Sequence, residues 1–467
     1  MLRSRAAAYW ALLVSTHLLA VLYSRGYFQF DEHYQVLEFI QWKLGLVHTR
    51  DMPWELTARM RPWLHPLMFF PVEWLSLHTL HWSPFAKTTV HRALVAAIAL
   101  LVISRRTRRR PELLPLYASL FFFPFIDVRI SSEVIGGWLF VLAYTLDDER
   151  GTNVRPLHSF GCGVLFGLAA VIRMQVLALL LGLLLFHLRN RMFRRSMWLC
   201  VGLLPAFGLG VLVDRWGYGR FTYAPWNYVY ENIVLGKAVR FGTGASPWYW
   251  YFTALLEKTC FVPGAVFLAS LCWQWVRRPL SKLTLVTLPF VVLHIAIAHK
   301  ELRYLFPIAP FMPELVFGLW QAVRGHRAAR YTATAFIALN LILLAPAALH
   351  DADAEVGLYA ALHSLAPAEP VLQYVNNTNP LAPWRLNPSY YLGSLKLRGR
   401  PLRAPHKPSR GLFMFDSQPT YLAMRAEGRC QLLATRYPAY LLDNWPSWAL
   451  PPTLGPWLKL WSLWRCP

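Results

Sequence analysis

The chain has 467 residues, of which 56% are hydrophobic and 15% charged, with a mean hydropathy of +0.33 and a formal net charge of +23. It is too apolar and too poor in charge for a soluble protein of this length. The basic residues gather at the ends of apolar runs, so the positive charge marks a membrane protein, and no nucleic-acid partner is expected.

The first apolar run, 6–23, follows Met-Leu-Arg-Ser-Arg and has no small-residue cleavage site after it, so it reads as a retained transmembrane helix. Further runs follow at 90–103, 113–126, 134–146, 159–172, 174–187, 197–213, 259–275, 283–298, 304–322 and 331–347. Hydropathy thus predicts a mostly α, polytopic fold with about 11 transmembrane helices. With the N-terminus inside, the inner loops hold Arg105 to Arg110, Arg150 and Arg155, Arg189 to Arg195, Arg277 and Arg278, and Arg324 to Arg330. All are basic, as the positive-inside rule requires.

The outer loops carry the chemistry. The first, about 24–89, holds Asp31-Glu32-His33 and then an amphipathic stretch, with Val36, Leu37, Ile40, Leu44 and Val47 on one helical face and Gln35, Glu38 and Gln41 elsewhere. This pattern predicts a helix lying in the membrane interface. The next outer loops are Asp127 to Glu133, then Asp214 to Lys258, rich in Gly, Trp and Tyr, then His299 to Tyr304. The tail from Leu349 is polar and Pro-rich, with short strands expected at Gly411–Phe415 and Gln431–Thr435 and a sequon at Asn376-Asn377-Thr378. The organisation expected is a membrane domain over 1–348 and a small extracytoplasmic α/β domain over 349–467. Cys430 and Cys466 lie in this tail and can pair if it is outside the cytoplasm, whereas Cys162, Cys200, Cys260 and Cys272 lie in or beside apolar runs.

Asp31 and Glu32 are adjacent carboxylates at the mouth of an interfacial helix, where burial can tune one of them into a general base. The plainer alternative is a solvated acidic pair. Arg173 interrupts an apolar stretch near an outer turn, a position that favours a cavity or a partner, or a snorkelling helix end. His299, Lys300 and Arg303 crowd the outer end of a span, against the positive-inside bias, and read as an anion site, with lipid-headgroup anchoring as the alternative. Glu55, Arg59 and Arg61 stand among Trp54, Trp63 and Pro66, a composition that suits a sugar pocket as well as an interfacial belt; the same holds for Trp226, Trp248, Tyr249 and Trp250. There is no phosphate-binding Gly-rich motif after a strand and no Cys/His metal spacing, so neither a nucleotide nor a metal cofactor is expected. A donor reaching an outer site would be carried on a lipid phosphate.

Together these blocks resemble the GT-C superfamily, and within it glycosyltransferase family 22, the dolichol-phosphate-mannose-dependent mannosyltransferases. Phe30 to Glu38 is similar to the family's acidic first-loop motif. Pro53-Trp54-Glu55 with Arg61 to Pro66, Arg129 to Glu133, Asp214 to Gly219 through Pro247 to Phe252, and His299 to Pro307 are similar to its other blocks. The chain departs from the pattern at Pro53, Pro62 and Leu302, where the family usually has Thr, Ser or Gly, and a second Glu. The resemblance implies a GT-C fold and an inverting transfer of mannose from a polyprenyl-phosphate carrier to a lipid-linked glycan such as a GPI precursor. It implies Asp31 as base, with Glu32 as alternative base or positioning group. Arg173, His299, Lys300 and Arg303 would hold the donor phosphate. Glu55, Arg61, Trp54, Asp214 and Trp248 would shape the sugar and acceptor pocket. A transferase of another lipid-linked sugar, or a lipid or sugar transporter, are the rival readings; a transporter would show inverted repeats, which this chain does not display.

Overall fold

The computed structural model describes residues 2–148, 155–237, 240, 244–364, 371–374, 389–392, 398–401, 410–415, 418–444 and 460–467. Arg150 and the sequon at Asn376 lie outside the described residues. The eleven apolar runs all fall in helical segments, yet an eleven-span count does not follow from them. Among the described residues, four helices are long and apolar enough to cross a membrane: Ser4–Tyr23, Pro84–Arg109, Phe193–Tyr218 and Arg327–Leu349. A fifth arises if Val262–Arg277 and Lys282–Ala296, bent by 118° at their junction, make one span. The rest are shorter or broken. Run 113–126 splits into helices Leu114–Ser119 and Phe122–Ile126, and run 304–322 into a 3-10 helix, Leu302–Phe311, and helix Met312–Val323. Pro124, Pro307 and Pro310 fall in these pieces, and each removes a backbone donor and clashes with the preceding turn. Hydropathy scores such residues by polarity and does not register the break.

Close helix contacts rest on missing side chains. Helices Pro156–Ile172 and Phe193–Tyr218 meet at Gly163 and Gly202, where an added Cβ would lie 2.2 Å from Leu199 O and 2.2 Å from Phe160 O respectively. Small residues allow this approach where lipid offers no hydrophobic drive to hold helices together. At one end of the bundle Asp147 ties three helices, with its carboxylate 2.7 Å from Arg195 Nε, 3.2 Å from His187 Nε2 and 3.2 Å from Lys282 Nζ. The opposite end carries the first loop.

The amphipathic stretch of that loop is helical, as Phe30–Glu32, a π-turn His33–Leu37 and Glu38–Lys43. Val36, Leu37 and Ile40 enter the main core as their spacing predicts. The polar face does not turn to water: Gln35, Glu38 and Gln41 are buried too. Gln35 donates to Glu55, Gln41 donates to Glu73, and Glu38 accepts from the Tyr390 amide at 3.0 Å. Tyr390 belongs to helix Ser389–Leu392, so the C-terminal region covers this face. Its Oη also donates to Glu73 at 2.6 Å, and Tyr391 stacks on His33 with centroids 5.5 Å apart.

The C-terminal sheet contains β1 (Val371–Tyr374), β2 (Arg398–Pro401), β3 (Gly411–Phe415), β4 (Gln431–Thr435) and β5 (Ser462–Cys466), in the order β2-β1-β3-β5-β4. β1 runs parallel to β2 and β3, while β5 runs antiparallel to β3 and β4. The two strands expected from sequence, β3 and β4, have the expected limits. Cys430 and Cys466 form a disulfide beside the β4–β5 pair.

Gly202→Ala would force two helix backbones apart. Overpacking costs about 1–3 kcal/mol, so the variant should unfold several degrees below the parent in detergent, as read by thermal-shift size-exclusion chromatography. An unchanged midpoint would mean that the two helices are free to separate.

Candidate active site

The site forms where four distant segments meet. Arg303 comes from the 3-10 helix Leu302–Phe311, whose N-terminal flank is the His299–Glu301 loop. Asp31 comes from the first-loop helix, and Glu133 from the first turn of helix Ser132–Asp148. Arg173 follows helix Pro156–Ile172, at its C-cap. Arg303 is 3% exposed, and its guanidinium lies among three carboxylates. Nη1 is 2.6 Å from Asp31 Oδ2 and 3.0 Å from Glu133 Oε1, and Nε is 2.7 Å from Glu301 Oε2. Arg173 Nη2 is 3.1 Å from the same Glu133 oxygen. Both guanidiniums lie against the Tyr304 ring, at 5.3 Å and 5.2 Å from its centroid. A buried guanidinium needs this kind of pairing, because leaving it unpaired costs several kcal/mol.

Arg61 extends the network. Its Nη2 is 2.6 Å from Glu55 Oε1 and 3.8 Å from Asp31 Oδ2, and Glu55 also accepts from Gln35. Next to these groups lies a small, partly open pocket lined by Gln35, Arg61, His65, Arg173, Gln175 and Tyr228 among others. His65 Nε2 is 3.0 Å from the Ile130 carbonyl. A carbonyl only accepts, so Nε2 carries the proton and Nδ1 is left as an acceptor. Burial pushes the His65 pKa down to about 4, which keeps the ring neutral near pH 7.

The two acids of the first loop are separated electrostatically. Burial raises the Asp31 carboxyl, but Arg303 and Arg61 outweigh it and hold Asp31 below its ordinary value. Glu32 is buried with one oxygen accepting from the Phe28 amide, while the other has no hydrogen-bond partner among the described residues. Burial raises its pKa to about 7, with Arg129 only partly opposing. Arg129 itself donates to the carbonyls of Ser24 and Gly26 and so fixes the entry to this loop.

The remaining residues nominated from sequence separate into distinct places. His299 Nε2 is 2.9 Å from Glu301 Oε1, and this contact raises its pKa; it reaches Arg303 through Glu301. Lys300 is turned away, with Nζ donating to the backbone carbonyls of Ser246 and Ile297. Asp214 is buried, and its two oxygens accept from the Trp63 amide at 2.7 Å and the Ala224 amide at 3.3 Å. Three residues on, Gly217 leaves room for the Trp63 ring, whose Cγ would stand 2.0 Å from an added Cβ. Asp214 and Gly217 thus dock the Trp54–Pro66 block onto helix Phe193–Tyr218. Trp54 lies under Lys237 Nζ, 5.3 Å from the ring centroid, and Trp248 is exposed; neither lines the pocket. The sequence alone gives no role to Glu133, Glu301, His65, Gln35 or Tyr228. The available signal for the first two was an acid inside a block otherwise poor in acids. His65, Gln35 and Tyr228 carry no such signal. Among the described residues, no group of three or more His, Cys, Asp or Glu side chains is arranged to hold a metal ion.

Comparison with known proteins gives this geometry a context. The profile of the Alg9-like mannosyltransferase family matches residues 8–382. GPI mannosyltransferase 3 from Drosophila melanogaster is 26% identical over 317 residues, which is 64% of this chain and 54% of that protein. The Dol-P-Man:Man(7)GlcNAc(2)-PP-Dol alpha-1,6-mannosyltransferase of Arabidopsis thaliana is 29% identical over 216 residues, 45% of this chain and 40% of that protein. The chain therefore spans about half the length of these relatives. The crystal structure of ArnT from Cupriavidus metallidurans in the apo state superposes with a TM-score of 0.50 and 14% identity, over 92% of this chain and 96% of that one. That likeness shows the GT-C fold, and with the apolar helices it makes this a multi-pass membrane protein.

The raised Glu32 pKa has a consequence for stability. Below its ordinary value of 4.5, folded and unfolded chains both hold the proton and burial of the neutral group is free of ionisation cost. Between pH 4.5 and about 7 the unfolded chain ionises first, and the folded state loses stability against it. Glu32→Gln should remove that loss. Its thermal midpoint should match the parent near pH 4.5 and exceed it above pH 7; equal midpoints throughout would show that Glu32 ionises freely.

Proposed function

The chain belongs to the Alg9-like mannosyltransferase family, and from that premise we propose that it transfers mannose from a polyprenyl-phosphate mannose to a hydroxyl of a lipid-linked glycan, a GPI precursor being the class favoured by its relatives' names. The observation that carries the reading is the contact between a carboxylate and an anion-binding group, Asp31 Oδ2 and Arg303 Nη1 at 2.6 Å, beside a pocket lined by two more guanidiniums.

Asp31 is held ionised and is the base. It takes the proton of the acceptor hydroxyl as that oxygen bonds to the anomeric carbon. The bond from the anomeric carbon to the phosphate oxygen breaks, with inversion, and polyprenyl phosphate leaves with the electron pair. Arg173 and Arg303 meet the charge that develops there, with His299 supporting Arg303 through Glu301. When the donor phosphate shares Arg303, the hold on Asp31 loosens and its basicity rises, because the guanidinium is what lowers its pKa. Glu32, whose pKa burial raises to about 7, positions the loop. Arg61 and the neutral His65 face the sugar, and Glu55, which does not line the pocket, braces Arg61. Lys300 and Asp214 act by fixing backbone.

We place the site on the non-cytoplasmic face, that of the endoplasmic reticulum lumen in a eukaryote or of the periplasm in a bacterium. The disulfide Cys430–Cys466 supports this, since such bonds persist in oxidising compartments. On this reading residues 1–348 are the catalytic membrane domain. Residues 349–467 are a small domain on the same face, fastened through Tyr390 to Glu38 and Glu73 and through Asp351 to Arg25.

Full-length protein in nanodiscs, given a short-chain polyprenyl-phosphate mannose and a panel of mannosylated lipid acceptors, should yield a product one hexose heavier. Asp31→Asn should slow it about a hundredfold or more, the loss typical of a removed general base. Near-normal turnover of that variant would end the base assignment. Failure to release polyprenyl phosphate from any lipid-linked sugar would favour transport.

A further inference from the structure

We propose that Glu133 is the positioning residue of the site, a single carboxylate that sets the spacing of Arg173 and Arg303; this rests on the donor-phosphate reading above. One oxygen of Glu133 takes both guanidiniums, at 3.1 Å from Arg173 Nη2 and 3.0 Å from Arg303 Nη1. The other accepts from Ser132 Oγ at 3.2 Å. Arg173 Nη1 also points to Ser132 Oγ, at 3.5 Å. The side chain is 1% exposed, so the exchange takes place out of water, where charges are felt strongly.

The backbone of the same helix is cut to receive both arginine-bearing segments. One turn beyond Glu133, a Cβ on Gly136 would stand 3.0 Å from Arg173 Cβ, and a Cβ on Gly137 would stand 2.7 Å from Pro307 Cα. The Arg173 turn and the Leu302–Phe311 helix therefore both pack directly on helix Ser132–Asp148. Glu133 itself is anchored in the first turn of that helix, where Ser131 Oγ accepts from the Val134 amide at 3.3 Å and the helix dipole favours a negative charge. Two like charges drawn to one oxygen would otherwise repel. Arg303 has Asp31 and Glu301 as further partners, but among the described residues Glu133 is the carboxylate that pairs with Arg173. When the donor phosphate competes with Asp31 for Arg303, Glu133 and Glu301 retain the guanidinium in place. The role is one of geometry: Glu133 does not line the pocket, and its negative charge opposes, rather than assists, ground-state binding of a phosphate.

The test uses full-length protein in nanodiscs, with binding of a short-chain polyprenyl phosphate and turnover of the mannosyl donor measured separately. Glu133→Gln should lower kcat by about tenfold or more, since misplacing reacting groups costs rate. Its Kd for polyprenyl phosphate should stay within about threefold or tighten, a split between ground-state binding and turnover. Glu133→Asp keeps the charge on a shorter arm and should show the same split more mildly, which covers the case in which the glutamine variant does not fold. Combined with Arg173→Gln, the Glu133→Gln loss should not add, because the two residues act as one unit. A Glu133→Gln variant with normal kcat, while Arg173→Gln is impaired, overturns this inference and leaves the donor reading standing. Equal losses of kcat and binding in Glu133→Asp also overturn it, as a general structural role. Wild-type protein that binds no polyprenyl phosphate overturns the donor reading and this inference with it.

Discussion

A guanidinium taken out of water must be paired, and Arg303 is paired three times over, with Asp31, Glu133 and Glu301. The constraint reaches across the chain. It brings the first loop, the start of helix Ser132–Asp148 and the segment before helix Met312–Val323 to one point, and Glu133 draws Arg173 into the same cluster. A buried ion cluster of this kind is weak evidence for stability, because desolvation offsets much of the Coulombic gain. Its value is in specificity of position. Three carboxylates around one cation permit few arrangements, and the arrangement found leaves Arg61 and Arg173 on the wall of a pocket.

The rest of the fold supports that arrangement from outside. Glycines at Gly136, Gly137 and Gly217 admit the neighbours that carry the site or brace it. Asp214 spends its charge on two backbone amides, and Lys300 on two backbone carbonyls. These residues stand inside the most distinctive blocks of the sequence, yet what they do is hold loops. The C-terminal region is part of the same support, since Tyr390 satisfies Glu38 and Glu73 on the far side of the first-loop helix. Without it both buried carboxylates would lose one partner, leaving Glu73 to Gln41 and Lys87 and Glu38 to His33.

Asp31 and Glu32 show how location divides two neighbouring groups of like chemistry. One faces two guanidiniums and stays ionised; the other is buried with a single amide donor, Arg129 opposing burial only in part, and holds its proton up to about pH 7. Pairs of acids pushed apart in this way are a recurring feature of sites that move protons.

Properties that follow from local composition were legible in the sequence. The apolar runs, the face formed by Val36, Leu37 and Ile40, the strands β3 and β4, and the anomalous charges Asp31, Arg173 and Arg303 each depend on a residue and its near neighbours. Pairing of Cys430 with Cys466 was open in the sequence and is made in the fold. Contacts over long chain separations were not legible. Tertiary packing decided that Glu133 would join two arginines, that His65 would enter the pocket as a neutral acceptor, and that the polar face of the first-loop helix would be covered by residues about 350 positions later. It also decided the helix lengths, because proline breaks a span by geometry that hydropathy does not measure. Periodicity reports which side of a helix avoids water; which polar group answers a buried charge is settled only when the segments meet.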